Sequence, residues 1–346
     1  MYIERDLAII GSGIAAICVI SLAIEHRITY IAIDPDPLEG GIVASLLSTP
    51  VPRPRVPVLL NREEINFLGI NRYEHAYICS DLKIQILKRG DYETKIKAYT
   101  KTEIQKPWFI RWIHESYLCF IPNIVNIIKN TLNVRVSRIH VISNIRRIDV
   151  DKRIIVTNTG NIIRYKRLVY TWPLDTLLNY LYTRNEILYH KLSNIIKQLN
   201  LKPIGIYLLN LFTPYIPKYE KLTITLHETK ASRIHTVISI PLGNIVLHYL
   251  FTSFSENHPP LAGLSEKIYS EIRKHKLFDI SLVQDEYPIV TRYGILNRVS
   301  SSLIKELSDS LFEQNIILFG RLALWNEISI LSLVSKERKN LNSMIL

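Results

Sequence analysis

Cysteine is scarce in this chain: 346 residues carry only 3, none in C-x-x-C spacing. The 10 histidines include no H-E-x-x-H, so neither recurrent zinc-ligand pattern is present and no metal site is expected. An odd, sparse set argues against a disulfide scaffold. Cys18, Cys79 and Cys119 read as reduced thiols of a cytoplasmic protein, with Cys18 packed inside a helix. Long basic runs are missing too, although the net charge is +12. The densest groups, Arg146-Arg147, residues 164–167 and residues 336–339, are short and read as solvated faces. No standard nucleic-acid-binding signature accompanies them, so no nucleic-acid partner is expected, while the positive field suits an anionic ligand. Low-complexity tracts and internal repeats are absent. No basic leader or small-residue cleavage site opens the chain, so no signal peptide is expected. What is there is ordinary globular composition, 47% hydrophobic and 21% charged, at a length that suits about two domains.

The first forty residues organise the rest. An apolar run, Asp6-Leu7-Ala8-Ile9-Ile10, ends in Gly11-Ser12-Gly13-Ile14-Ala15-Ala16. An apolar helical stretch follows over residues 17–24, then a second apolar run over residues 28–33 that stops at Asp34. Strand, glycine turn, helix, strand and acid is the order a dinucleotide requires. Gly11 permits the tight turn, Gly13 lets the backbone approach a pyrophosphate, and Ala16 lets helix and strand pack closely. The pyrophosphate would sit on the unpaired N–H groups and positive dipole end of the helix. Asp34, about 20 residues past Gly13, would accept from the hydroxyls of an adenosine ribose.

Residues 7–24 contain no charge and approach the length of a membrane span, which needs about 20 apolar residues. The clustered glycines, Ser12 and Ser21, and the acids Glu4 and Asp6 just ahead oppose that reading. No integral membrane segment is expected.

Beyond Asp34, prolines end the second strand, and Gly40-Gly41 either turns the chain back against a bound cofactor or makes a plain surface turn. Residues 50–57, rich in proline, read as a stiff connector. Short strands are expected at residues 76–79 and 83–87, ahead of a helical stretch over residues 108–130. Its aromatics Trp108, Phe109, Trp112, Tyr117 and Phe120 either fill a core or wall a pocket. Alternating residues at 144–150, 153–158 and 161–165, with turns at Asp151-Lys152 and Thr159-Gly160, read as a three-stranded meander. Behind it a buried strand over residues 168–171 meets Trp172-Pro173-Leu174-Asp175 and then a helix.

Residues 186–199 form an amphipathic helix, and strand candidates at 203–211, 222–226, 233–240 and 244–253 suit a separate antiparallel layer. Ser232, Arg233 and His235 are candidates to face a pocket there, against a solvated reading for Arg233. Helices are expected over residues 261–276 and 299–312. A strand over residues 316–319 then meets Gly320-Arg321, with another helix from about Asn326. A strand closing on glycine at a helix start makes a second anion-binding corner.

The opening fingerprint, the Gly40-Gly41 turn and the Thr171-Trp172-Pro173-Leu174 step together resemble the amine-oxidase-like FAD flavoproteins. That group includes protoporphyrinogen oxidases, carotenoid desaturases and UDP-galactopyranose mutases. The resemblance implies an α/β chain: a Rossmann-like FAD-binding domain capped by the meander, with a discontinuous α+β substrate domain. The FAD-binding domain would take residues 1–58, 131–180 and 288–346, and the substrate domain residues 59–130 and 181–287. It implies FAD held by Gly11, Ser12, Gly13, Ile14, Ala15, Ala16, Asp34, Gly40 and Gly41 on one side. Thr171, Pro173, Gly320, Arg321 and Ile330 lie nearer the flavin, with Arg321 a phosphate clamp. Gly320-Arg321-Leu322-Ala323-Leu324-Trp325 is most similar to the G-R-L segment of the galactopyranose-mutase branch. Asn326, Glu327, Ser329 and Ile330 stand where that branch has aromatics and an Asp-Met pair. Implied is an FAD-dependent oxidoreductase taking hydride from a small-molecule or lipid-like substrate. The alternatives are a mutase-like flavin isomerase, a non-catalytic flavin scaffold, and an NAD dehydrogenase, since Asp34 serves NAD equally. The returning Gly320-Arg321 corner favours FAD. No acid or base is nominated, and the oligomeric state is left open.

Overall fold

In the computed structural model, residues 1–36, 39–46, 53–70, 78–134, 141–259 and 262–345 are described. Parts of the expected connector (50–52), strand (76–77), helix (261) and run before the meander (135–140) lie outside the described residues. The chain divides into two units. Met1–Ser45, Asn123–Leu201 and Val299–Leu346 form the first, and Leu46–Pro122 with Lys202–Arg298 the second.

The uncharged stretch at residues 7–24 resolves into the buried end of a strand, β1 (Tyr2–Ile10), and a helix, α1 (Ile14–Glu25). Leu7, Ala8, Ile9 and Ile10 are almost completely buried, as are Ala16 to Val19 on the helix. A helix apolar on every side belongs in a core. Each buried Leu or Ile contributes roughly 1.5–3 kcal/mol, which accounts for so long a run without a charge. Among the described residues no helix is long and apolar enough to cross a membrane.

Parallel pairing sets β1 between β2 (Tyr30–Asp34) and the strand Ile162–Tyr170. Ile162–Tyr170 merges two runs that the sequence separates, because residues 162–170 pair β1 along their whole length. Its other edge is shared. The antiparallel strand Ile154–Thr157, backed by Ile145–Asp149, takes one end, and the parallel strand Ile316–Leu318 takes the other. This is the α/β dinucleotide architecture with its meander.

The second unit is built on a separate sheet ordered Asp285–Ile295, Ile204–Pro214, Ile245–Phe254, Ile234–Leu242, Leu222–His227, Ile78–Lys88, Tyr117–Phe120, Leu59–Leu60. It is antiparallel except where Leu222–His227 runs parallel to Ile78–Lys88. The helix Leu264–Lys274 lays Leu264, Ile268 and Ile272 on a cluster with Leu209, Leu211, Tyr219 and Leu250.

Several expectations are corrected. Four stretches fall in the other unit: residues 46–58 and 288–298 belong to the second, and 123–130 and 181–201 to the first. Pairing explains two of these shifts. Leu181–Tyr182 adds to Ile145–Asp149, whereas residues 285–295 pair along Ile204–Pro214. The single helix expected over 108–130 is a short 3-10 turn, Ile110–His114, the strand Tyr117–Phe120 and the helix Ile124–Thr131. Pro122 separates the last two, and the aromatic, β-favouring run before it pairs with Ile78–Asp81 instead. That pairing sets Cys79 opposite Cys119 with Cα atoms 3.9 Å apart, joined in a disulfide, so these two are not the reduced thiols expected. Cys18 is free and buried. Phe109, Trp112 and Phe120 fill core: each is 3% exposed or less, and Trp108, Trp112 and Phe109 meet edge to face.

Candidate functional site

The turn after β1 is shaped by close approach. Gly11 has φ +124°, and a Cβ there would lie 2.0 Å from the Thr171 hydroxyl oxygen, so only glycine fits. That hydroxyl donates to the Ile10 carbonyl at 2.7 Å, tying the Thr-x-Pro step to the end of β1. Gly13 is extended and, among the described residues, caps α1 without any side-chain hydrogen bond and has nothing within 4 Å of where a Cβ would stand. The first-turn N–H groups of Ile14, Ala15 and Ala16 lie at the positive end of the helix.

Gly40-Gly41 is not a surface turn. Gly40 is buried, its N–H donates to the Ser12 carbonyl at 2.8 Å, and it bridges to Gly13. A Cβ on Gly40 (φ +102°) would press within 2.3 Å of Val125, and one on Gly41 would stand 3.4 Å from the Gly13 Cα. The pair folds back onto the first glycine turn. Glu39 beside it is anchored by Lys129 at 2.7 Å.

The third piece arrives from far along the chain. Gly320, at the end of the strand Ile316–Leu318, approaches α1 so closely that a Cβ would lie 2.6 Å from that of Ala15. Ile330 opens the helix that follows, capped by Ser329, whose hydroxyl oxygen accepts from the Ser332 N–H at 3.0 Å. This helix starts later than expected because Asn326 lies in the turn before it. It continues through a π turn, Leu333–Glu337, and Arg338 donates from Nε to the Ser21 hydroxyl at 2.8 Å.

Two charged groups are already engaged. Asp34 is 7% exposed, and burial raises its carboxyl above the usual range, opposed by hydrogen bonds. Trp172 donates its indole N–H to Oδ2 at 3.0 Å, the Asp36 N–H donates to Oδ1 at 2.8 Å, and the Ser12 side chain contributes a third bond. Arg321 holds Glu327 through two bonds, Nε to Oε2 at 2.6 Å and Nη2 to Oε1 at 2.8 Å. The expected phosphate clamp is thus half of a bidentate ion pair. The Pro173 carbonyl accepts from Tyr170 and Thr176 hydroxyls and fixes the loop that carries Trp172.

The structure therefore brings Gly11, Ser12, Gly13, Ala15, Asp34, Gly40, Gly41, Thr171 and Gly320 together around one turn. It does not gather Ser232, Arg233 and His235 into a pocket. Glu271 binds the Ser232 hydroxyl and the Arg233 N–H, and His235 is fully buried between Tyr92 and Ser253. Trp172 and Glu327 are the members of the site that residue-type reasoning passed over. The size of the side chain between Thr171 and Pro173 was the available signal for Trp172. Among the described residues no group of three or more potential metal ligands occurs.

No family model matches the chain, and no curated protein matches its sequence. Solved structures do match in fold over the whole length. A reduced UDP-galactopyranose mutase superposes with a TM-score of 0.75 at 11% identity, covering 99% of this chain and 97% of that one. Putrescine oxidase bound to putrescine gives 0.69 at 8% identity, covering 100% and 99%. A CLA-producing fatty acid isomerase from P. acnes gives 0.65 at 11% identity, covering 99% of each. This chain has the fold of the amine-oxidase-like flavoproteins, in both of its units.

Proposed function

We propose that the first unit holds FAD and that the chain is an FAD-dependent oxidoreductase acting on a small or lipid-like molecule. The observation that carries the reading is the meeting of Gly320 with Ala15 on the first turn of α1, which closes a distant strand end onto the glycine turn. A plain NAD fold asks only for the turn and the acid; the returning corner is what an FAD site adds. The residues present fit the phosphate half of that group. Among the described residues the start of α1 has no side-chain cap, and nothing lies within 4 Å of where a Gly13 Cβ would stand. FAD, when bound, supplies a hydride acceptor at flavin N5.

This chain's own residues then have three tasks. Main-chain N–H groups from Ile14 to Ala16 stabilise the pyrophosphate, helped by the helix dipole. Asp34 accepts from ribose hydroxyls, and Arg321 supplies positive charge beside the phosphates once Glu327 shares it. Gly40 and Gly41, packed against Gly13, hold the turn in shape.

Purified protein should be yellow with an oxidised-flavin spectrum, or become so on adding FAD. A colourless protein that takes up no FAD would end the proposal. A second reading, a flavin isomerase like UDP-galactopyranose mutase, draws on the TM-score of 0.75 to that enzyme. Bleaching of the flavin by an amine or lipid under anaerobic conditions separates the first reading from the second, which calls for tight UDP-sugar binding without net bleaching.

A further inference from the structure

We infer that Trp172 competes with the nucleotide ribose for Asp34 and thereby sets how tightly this chain holds its dinucleotide. The inference rests on the FAD reading above and adds the residue that tunes it. Asp34 has two carboxylate oxygens, and both carry a donor: the Trp172 indole on Oδ2 at 3.0 Å and the Asp36 N–H on Oδ1 at 2.8 Å. Each oxygen can accept a second bond, but ribose hydroxyls coming to a carboxylate this buried meet the donors already on it. Asp34 is only 7% exposed, so they cannot reach it without moving a neighbour. The Asp36 donor belongs to the main chain and is fixed. The Ser12 side chain and the indole can both rotate, and of the two the indole is the bulkier obstacle.

Geometry makes Trp172 the movable partner. Its backbone is anchored on both sides, by the Thr171 hydroxyl on the Ile10 carbonyl and by the Pro173 carbonyl under Tyr170 and Thr176. The half-buried indole lies across the glycine turn, its Cδ1 3.4 Å from where a Gly11 Cβ would stand, and rests edge-on against Tyr180 at 5.8 Å. A ribose then reaches the buried Asp34 carboxylate by displacing the indole from Oδ2. A hydrogen bond to a charged acceptor corresponds to about tenfold or more in affinity, so that is the scale on which Trp172 weakens binding.

The test titrates FAD and, separately, ADP into wild type, Trp172→Phe and Trp172→Ala by calorimetry, with circular dichroism to establish folding. ADP carries ribose and pyrophosphate without a flavin. Trp172→Phe keeps the ring and loses the donor, so both ligands should bind about tenfold tighter. In an Asp34→Ala background the same change should gain nothing. In parallel, the indole N–H resonance of Trp172 in wild type should shift at ADP saturation, assigned by its absence in Trp172→Phe. Unchanged affinities in folded variants, weaker binding in Trp172→Phe, or an unmoved indole resonance overturns the competition while leaving the FAD reading intact. If folded wild type and both variants bind neither ligand, the FAD reading and this inference fall together.

Discussion

The two units bury titratable groups in opposite ways. In the second unit His248 is fully buried, with the Ser239 hydroxyl on Nδ1 at 2.8 Å and that of Thr213 on Nε2 at 3.1 Å. His248 also stacks on Phe278 at 4.2 Å. Its partners sit on the two adjoining strands, locked by continuous ladders. In the first unit Asp34 ends a strand, and one of its partners is a side chain on a loop. Burial drives the histidine down to about 3 and the aspartate up, so each disfavours its charged form. The lesson is one of exchangeability. A group satisfied by a sheet is committed to stability, whereas one satisfied by a loop side chain can trade partners with a ligand.

The sharpest way to break this contrast is in the second unit's core. Trp112 is 3% exposed and donates to the Leu59 carbonyl at 3.0 Å. Trp112→Ala should cost about 4 kcal/mol in urea unfolding, from the cavity and the orphaned carbonyl. A loss below about 1 kcal/mol would mean the aromatic cluster is not tightly packed. Next comes Gly40→Ala, which meets both a left-handed backbone and Val125. About 3 kcal/mol should be lost, with weakened FAD binding because the Gly13 contact is displaced. An unaffected affinity would separate the glycine pair from the nucleotide turn.

Acid acts through the second unit's histidines. The His248 pKa lies below its unfolded value of 6.5, so only the unfolded chain takes up a proton as pH falls below that value. The stability this group confers is complete above pH 6.5 and drains away toward about 3. Its share should fall by about 2 kcal/mol between pH 6.5 and 5, and the slope should drop in His248→Gln. An unchanged slope would show that His248 does not titrate as a buried neutral ring. The smallest effect is expected at the Arg321–Glu327 pair, which is partly exposed. Glu327→Gln should cost about 1 kcal/mol yet tighten ADP binding by removing the carboxylate charge that pairs with Arg321. Weaker ADP binding would show that Glu327 orients the arginine rather than withholding it.

How legible was this in the sequence? The strand, turn, helix, strand and acid at residues 6–34 could be read because uniform burial leaves an uninterrupted apolar run and the turn demands glycine at fixed spacing. The meander was readable for a similar reason, its alternation being written by one solvated face. Residues 108–130 misled because apolar aromatics satisfy helical and strand periods alike, and the deciding partner, Ile78–Asp81, is remote. Asp34 and Arg321 were visible as chemistry, but their partners were not. Asp34 is held by a tertiary contact to a tryptophan 138 positions away, and Arg321 by a local turn geometry that spacing does not encode.

The strand Ile316–Leu318 has a bearing on how the molecule comes into being. It completes one edge of Ile162–Tyr170 and delivers Gly320 to α1, yet every segment of the second unit leaves the ribosome ahead of it. During translation the amino-terminal sheet waits with an open edge while the inserted portion can mature. The glycine bend becomes whole only after that long detour, so chaperone dependence and vulnerability to proteases should be concentrated in the nascent amino-terminal segment.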